Sequence, residues 1–204
     1  MGVVLALDQL LNARTVWRGH AAPATQSARH PTGHAALDAR LPQGGWPDNA
    51  LSEILLPRDG VGELALVFPA LARLTQAGQR AVLIAPPYRV HAPGWAHAGV
   101  ALPQLQVVHA QPREVLWAAE QCLRSAACAA VLCWPAKADD RAMRRLQVAA
   151  ETGQCLGFAF RDSKHANNPS PAALRIQLDA HTRQVRVLKC RGGLAPPQPI
   201  AWAS

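Results

Sequence analysis

The stretch Ile54-Leu-Leu-Pro-Arg-Asp-Gly-Val-Gly-Glu-Leu64 decides how this chain is read. An apolar run precedes it, an amphipathic pattern follows it, and glycines lie between. That is the setting of a phosphate-binding loop, G-x-x-x-x-G-K-[ST], whose backbone N–H groups cradle phosphates while its lysine and hydroxyl hold the β/γ oxygens and Mg²⁺. Against that template Pro57 stands for the first glycine and Gly62 for the second, with Gly60 keeping the bend. Glu63 replaces the lysine and Leu64 replaces the hydroxyl. A carboxylate at 63 would meet a triphosphate with like charge, and leucine ligates no metal. Asp59 and Glu63 also supply negative charge to the N-terminus of the following helix from within.

Two further parts of an ATPase are missing. The apolar run Ala130–Trp134 offers Cys133 where a metal-binding carboxylate would stand, and Val82–Ala85 is followed by Pro86 and Pro87 where a water-activating carboxylate would stand. The expectation is a turn that keeps the shape of a phosphate loop and binds no nucleotide. No catalytic residue, cofactor or metal is assigned, and the chain is expected not to be an enzyme.

Outward from the loop, apolar residues at helical spacing (Leu64, Val67, Phe68, Leu71, Leu74) predict a helix over 63–77 ended by Gly78. Pro69 interrupts it and predicts a kink or a late start. Buried strands are predicted at 50–56, in Ala81-Val-Leu-Ile, Leu105-Gln-Val-Val, Ala130-Val-Leu-Cys and at 155–160, with helices over 112–125 and 139–152. Alternation of strands and helices argues α/β architecture: a mostly parallel sheet flanked by helices. Residues 173–190 alternate apolar and charged positions about a polar turn near 180–182, an antiparallel hairpin at the sheet edge. In strict alternation Arg183 and Lys189 share a face and Arg186 lies opposite. The chain divides into an N-terminal helix and flexible linker (1–30), a core (31–190) and a proline-rich tail (191–204).

The 204 residues suffice for one α/β domain. No apolar run reaches the roughly 20 residues of a membrane span, and no signal peptide is read, so cytoplasmic localisation without membrane contact is expected. The five cysteines show no metal-ligand or C-x-x-C spacing and are read as reduced thiols. The formal net charge is +8, and residues from Arg161 onward carry seven Lys/Arg against two Asp/Glu. Such a balance fits nucleic acid or an acidic protein surface, or equally arginine-rich solvated faces.

The segment Pro31-Thr-Gly-His through Gly44-Gly45 to Ser52-Glu-Ile54 resembles the approach to the phosphate loop in RecA recombinases, and residues 31–190 follow the order of a RecA-like core. With Val16-Trp-Arg-Gly19, Leu51–Leu66 and Cys190-Arg-Gly-Gly193, the chain is similar to the ImuA family of translesion-synthesis accessory proteins. That resemblance implies a non-catalytic component of an SOS-induced error-prone mutasome. Its implied partners are ImuB (an inactive Y-family polymerase relative), an error-prone C-family DNA polymerase, RecA, and single-stranded or primed DNA. The same core also resembles the SulA family, SOS-induced inhibitors that bind the division protein FtsZ, through its Ser52-Glu-Ile strand, Leu64–Leu74 and Leu156-Gly-Phe-Ala-Phe-Arg161. The longer hairpin and tail favour the first resemblance.

Candidate DNA contacts are Arg161, Lys164 and His165, with Asn167 and Asn168, in the loop that corresponds to one meeting DNA in RecA. Arg141, Arg144 and Arg145 share a helix face and join them; a solvated face is the alternative. Candidate partner contacts are Leu7, Leu10, Leu11 and Trp17 at the N-terminus, whose helix could also mediate homo-oligomerisation, and the basic hairpin residues Arg183, Arg186 and Arg191, with Arg175 and Lys189 beside them. The six tryptophans are read as core or partner packing rather than base stacking; Trp117 sits at helical core spacing with Val115.

Overall fold

Strands buried on both faces need helices on both faces, and the topology supplies them. The computed structural model describes residues 30–202. In chain order these form α1 (Ala35–Asp38), β1 (Leu51–Leu56), α2 (Leu64–Gln76), β2 (Ala81–Ile84), α3 (Ala92–His97), β3 (Leu105–Val108), α4 (Val115–Arg124), β4 (Ala130–Cys133), α5 (Asp140–Thr152), β5 (Leu156–Asp162), β6 (Leu174–Asp179), β7 (Gln184–Cys190) and β8 (Ile200–Ala201). The eight strands make one sheet in the order β3-β2-β4-β5-β1-β6-β7-β8. Pairings from β3 through β6 are parallel. The β6–β7 and β7–β8 pairs are antiparallel. The mixed α/β class and the C-terminal hairpin are therefore observed.

One sheet face, with Ile54, Leu83, Leu132 and Phe158, packs against α1, α2 and α3. The other, with Leu51, Val82, Val131 and Ala159, packs against α4 and α5. Within the proline-rich tail Ile200 pairs with Val185, and buried Trp202 closes over the first face. The six-residue α3 went unread because it is too short to show a period. The Leu7, Leu10, Leu11 and Trp17 contacts lie outside the described residues.

Pro69 does not delay α2, which runs Leu64–Gln76 through it. A proline at 69 deprives the Ala65 carbonyl of its helical donor. His34 Nε2 lies 3.2 Å from that carbonyl and donates in its place. Gly33, at φ +88°, lets the chain pass against the Pro69 ring, since a Cβ there would sit 2.3 Å from Pro69 Cβ. The Thr32-Gly33-His34 motif thus has a local purpose. The Thr32 N–H donates to Asp38 Oδ1 at 2.8 Å, and His34 holds the cap position of α1.

The β5–β6 connection is the unusual one. Both strands run parallel to β1, which lies between them, so residues 163–173 must travel back along the sheet with only a three-residue 3₁₀ turn (Ser163–His165) for structure. Below this crossing, Glu53 of β1 is 0% exposed. Its Oε1 accepts from Arg161 Nη1 of β5 at 2.7 Å, and its Oε2 from Arg175 Nε of β6 at 2.6 Å. Arg161 also donates to the Ala138 carbonyl at 2.5 Å. Arg175 donates to the carbonyls of His165, Ala166 and Asn168 at 3.0, 3.3 and 2.9 Å. Crossing-loop carbonyls that no ladder can satisfy are satisfied by this guanidinium.

Removing one partner of a buried ion pair strands the other charge, at a cost of about 3–5 kcal/mol. Glu53→Ala would strand two cations. We expect it to lower the unfolding free energy in urea by at least that amount, while Arg144→Ala, whose 3.9 Å pair with Asp140 is exposed, changes it by less than about 1 kcal/mol. Equal midpoints for the two variants would refute the assignment of Glu53 as the anchor.

Candidate functional site

The loop between β1 and α2 keeps the bend of a phosphate loop. Gly60 and Gly62 take φ +77° and +92°, which only glycine adopts without strain. The interior differs. Glu63 is 1% exposed and turned back into the loop. Its Oε1 accepts the Gly60 N–H at 3.3 Å and the Tyr88 hydroxyl at 2.5 Å. It makes no side-chain cap bond to the first turn of α2. The loop N–H that would meet a phosphate is taken up by the protein's own carboxylate, and Glu63 Oε2 is buried without a hydrogen-bond partner.

Electrostatics follow from that placement. Burial, and then the hydrogen bond to Glu63 and the charges of Glu63 and Asp59, push the Tyr88 hydroxyl well above its ordinary value. Asp59 is raised as well, by desolvation first and by Glu63 and Asp162 next. The mouth is covered by aromatic rings: a Cβ at Gly62 would lie 3.6 Å from the Trp202 ring, and His34 meets Trp202 edge-on at 6.2 Å. Behind the loop Trp134 stacks on Phe160 at 4.9 Å and meets Tyr88 edge-on at 6.2 Å. Cys133, at the end of β4 where an ATPase would keep a carboxylate, is fully buried, and its thiol is pushed up to about 12 by burial. The donor set is wrong for a nucleotide: a lone carboxylate points inward and no lysine reaches the loop's interior. Among the described residues no group of His, Cys, Asp and Glu is placed to hold a metal, and no helix is long and apolar enough to cross a membrane.

Of the candidate DNA contacts, Arg161 is 7% exposed and committed to Glu53 and Ala138. It cannot reach a phosphate backbone, because the crossing loop lies over it. His165 is half-buried, held low by burial and by Arg161 and Lys164, and supplies its carbonyl to Arg175. Lys164 is exposed and pairs with Asp162 at 3.1 Å. Asn167 and Asn168 are exposed on the same loop. Arg141 and Arg144 are exposed on α5, and Arg145 bonds to Glu120, a buried carboxylate on α4 that Arg124 also meets at 2.9 Å. Of these cations Lys164, Arg141, Arg144 and Arg145 are exposed, whereas Arg161 is engaged inside the fold.

In the hairpin, Arg191 pairs with Glu151 at 2.8 Å and Lys189 donates to the Ser170 carbonyl at 2.8 Å. A β-bulge between Arg175 and Ile176 shifts the register, so Arg186 opposes Gln177 and Lys189 opposes Arg175. Arg186 and Lys189 consequently share a face, opposite to the strict alternation expected; an inserted residue inverts the phase. Arg183 lies in the turn at φ +50°, not in the strand. Trp117 is 62% exposed rather than core, whereas Trp46, Trp95 and Trp202 are buried.

Sequence reasoning assigned no role to Glu53, Tyr88 or Glu120. For Glu53 a signal existed: one carboxylate in the otherwise uncharged strand Leu51-Ser-Glu-Ile-Leu-Leu56 has to find a buried cation.

What these features define is a mixed α/β protein whose β1–α2 bend is filled by its own carboxylate. The family model described as "Cell division inhibitor SulA" matches residues 50–157, from the approach to β1 into β5. The chain belongs to the SulA family. Among solved structures it is similar to SulA from Pseudomonas aeruginosa, at 24% identity over 54% of this chain and 96% of that one, with a TM-score of 0.46. No curated protein matches.

The family match corrects the ImuA reading, and with it the assignment to a RecA-like translesion-synthesis core. The partners inferred from it (ImuB, a C-family polymerase, RecA and DNA) and the mutasome function are withdrawn. The reason lies in where the signal sits. The tail and the end of the hairpin, which favoured ImuA, fall outside 50–157, whereas the Ser52-Glu-Ile strand and Leu64–Leu74 fall inside it.

Losing the Tyr88 hydroxyl leaves buried Glu63 Oε1 with only a long bond to Gly60. A buried acceptor stripped of its donor costs about 1–3 kcal/mol. We expect Tyr88→Phe to lower stability by that amount in chemical denaturation; an unchanged midpoint would mean that the hydroxyl does not hold the loop.

Proposed function

We propose that the chain is a non-catalytic inhibitor of cell division, produced in the SOS response to DNA damage, that acts by binding the division protein FtsZ. The family match over residues 50–157 carries this reading. The closed loop supports its non-catalytic part: Glu63 occupies the space in which an ATPase positions phosphates, so the α/β frame is left to present surfaces rather than turn over nucleotide. FtsZ is the target that the SulA resemblance implies.

Mixed with FtsZ and GTP, the purified chain should reduce the polymer that sediments, and its expression should make rod-shaped cells filament. Neither effect, together with no capture of FtsZ, would overturn the proposal.

Nucleotide binding is tested separately. Mg·ATP should leave the melting temperature unchanged, because a ligand stabilises only what binds it. A concentration-dependent rise would show that Glu63 yields its place.

A further inference from the structure

The second face of the sheet is covered unevenly. Helices α4 and α5 pack there on β1, β2, β4 and β5, and no residue of β6 or β7 joins that core. Near Glu53 the crossing loop covers the hairpin instead, held by Arg175 and by the Lys189 bond to the Ser170 carbonyl. Towards the 180–182 turn the hairpin face lies open. It floors a cavity of about 320 Å³ whose rim carries Pro57 and Pro199, a size that suits a small ligand.

Register fixes what the floor offers. Ile176, Leu178, Val185 and Val187 belong to the first face, so Gln177, Asp179, Gln184 and Arg186 occupy the second. Gln177 opposes Arg186, and Asp179 opposes Gln184. The four make a rectangle with the charges on one diagonal and the side-chain amides on the other. Diagonal neighbours on a sheet lie about 7–8 Å apart. Asp179 Oδ1 accepts the N–H of His181 and of Thr182 at 2.9 and 3.2 Å, and these bonds hold its carboxyl below the usual carboxylate range. Among the described residues Arg186 pairs with no carboxylate, and nothing bonds to the half-buried amides of Gln177 and Gln184.

We propose that this cavity binds a dipeptide in its zwitterionic form, with the α-carboxylate on Arg186 and the α-ammonium on Asp179. An extended dipeptide spans about 7 Å, which matches the charged diagonal, whereas a single amino acid is too short to reach both ends. The peptide group then falls at the centre, where Gln177 and Gln184 each offer a donor and an acceptor to its C=O and N–H. The Arg186 guanidinium can take the carboxylate in a two-point fork. The two rim prolines supply apolar walls that bring no N–H groups needing partners. A ligand with negative charge alone would meet the charged Asp179, and one with positive charge alone would meet Arg186, so the pair selects a ligand that carries both.

Thermal unfolding of the full chain tests this independently of FtsZ. Glycylglycine carries both termini and the peptide group, and it should raise the melting temperature in a concentration-dependent way. N-acetylglycylglycine lacks the ammonium, glycylglycinamide lacks the carboxylate, and glycine lacks the length; none of the three should do so. Arg186→Gln, at an exposed position, should keep the melting temperature of the free protein. It should raise the glycylglycine dissociation constant, measured by calorimetry, about tenfold or more. No response of the wild type to glycylglycine at about 10 mM overturns the proposal. So does an equal response to the blocked peptides or to glycine, or wild-type affinity in the Arg186 variant.

Discussion

The Glu53 carboxylate is the constraint on which the arrangement of β1, β5 and β6 depends. A parallel crossover ordinarily uses a helix, because a helix satisfies its own backbone while it covers the sheet. Here the return from β5 to β6 is a loop laid over β1, and its carbonyls need donors that no helix supplies. Arg175 provides three such donor contacts and Arg161 a fourth to the loop before α5. Two buried guanidiniums require an anion, and β1 presents one between them. Hydrophobic replacements could fill the same volume, but they could not satisfy those carbonyls. The ion cluster thus holds a connection that packing alone would leave undefined.

The same logic recurs at two other places where the chain departs from regular structure. Pro69 would leave the Ala65 carbonyl without a donor inside α2, and His34 reaches it from a segment that Gly33 allows to lie against the proline ring. The phosphate-loop bend exposes N–H groups to its interior, and Glu63 returns to accept one of them while Tyr88 shares its charge. In each case a backbone defect and a specific side chain occur together. The Glu63 arrangement fills the bend with one of the protein's own carboxylates.

Much of this frame was legible in the sequence. Continuous apolar runs marked β1, β2, β4 and β5, because strands buried on both faces need nothing else, and Gly60 and Gly62 marked the bend before α2. What stayed hidden depended on partners remote in sequence. Arg161 looked like a loop cation because its partner lies 108 residues away. The phase of Arg186 and Lys189 was inverted by a bulge that leaves no composition signal. Trp117 matched a core period, yet α4 turns that position to solvent while Ala118, Ala119 and Leu123 make the contact. The family was harder still, since features at the chain's end outweighed the more specific stretch at its centre.

The buried and paired arginines also change what the net charge means. The formal excess of +8 already subtracts every carboxylate, so pairing does not remove it; the fold decides which cations stand at the surface. Arg161 and Arg175 are spent on Glu53, Arg124 and Arg145 on Glu120, Arg191 on Glu151, and Lys189 on a loop carbonyl. Each of the Glu53 and Glu120 clusters keeps one positive charge, but its guanidinium donors are already engaged. The C-terminal cluster that reads as a nucleic-acid footprint in one dimension is, in three, largely the set of donors that closes the β5–β6 crossover and fastens the hairpin to α5. Charge that a fold uses internally is not available to recognise a polyanion.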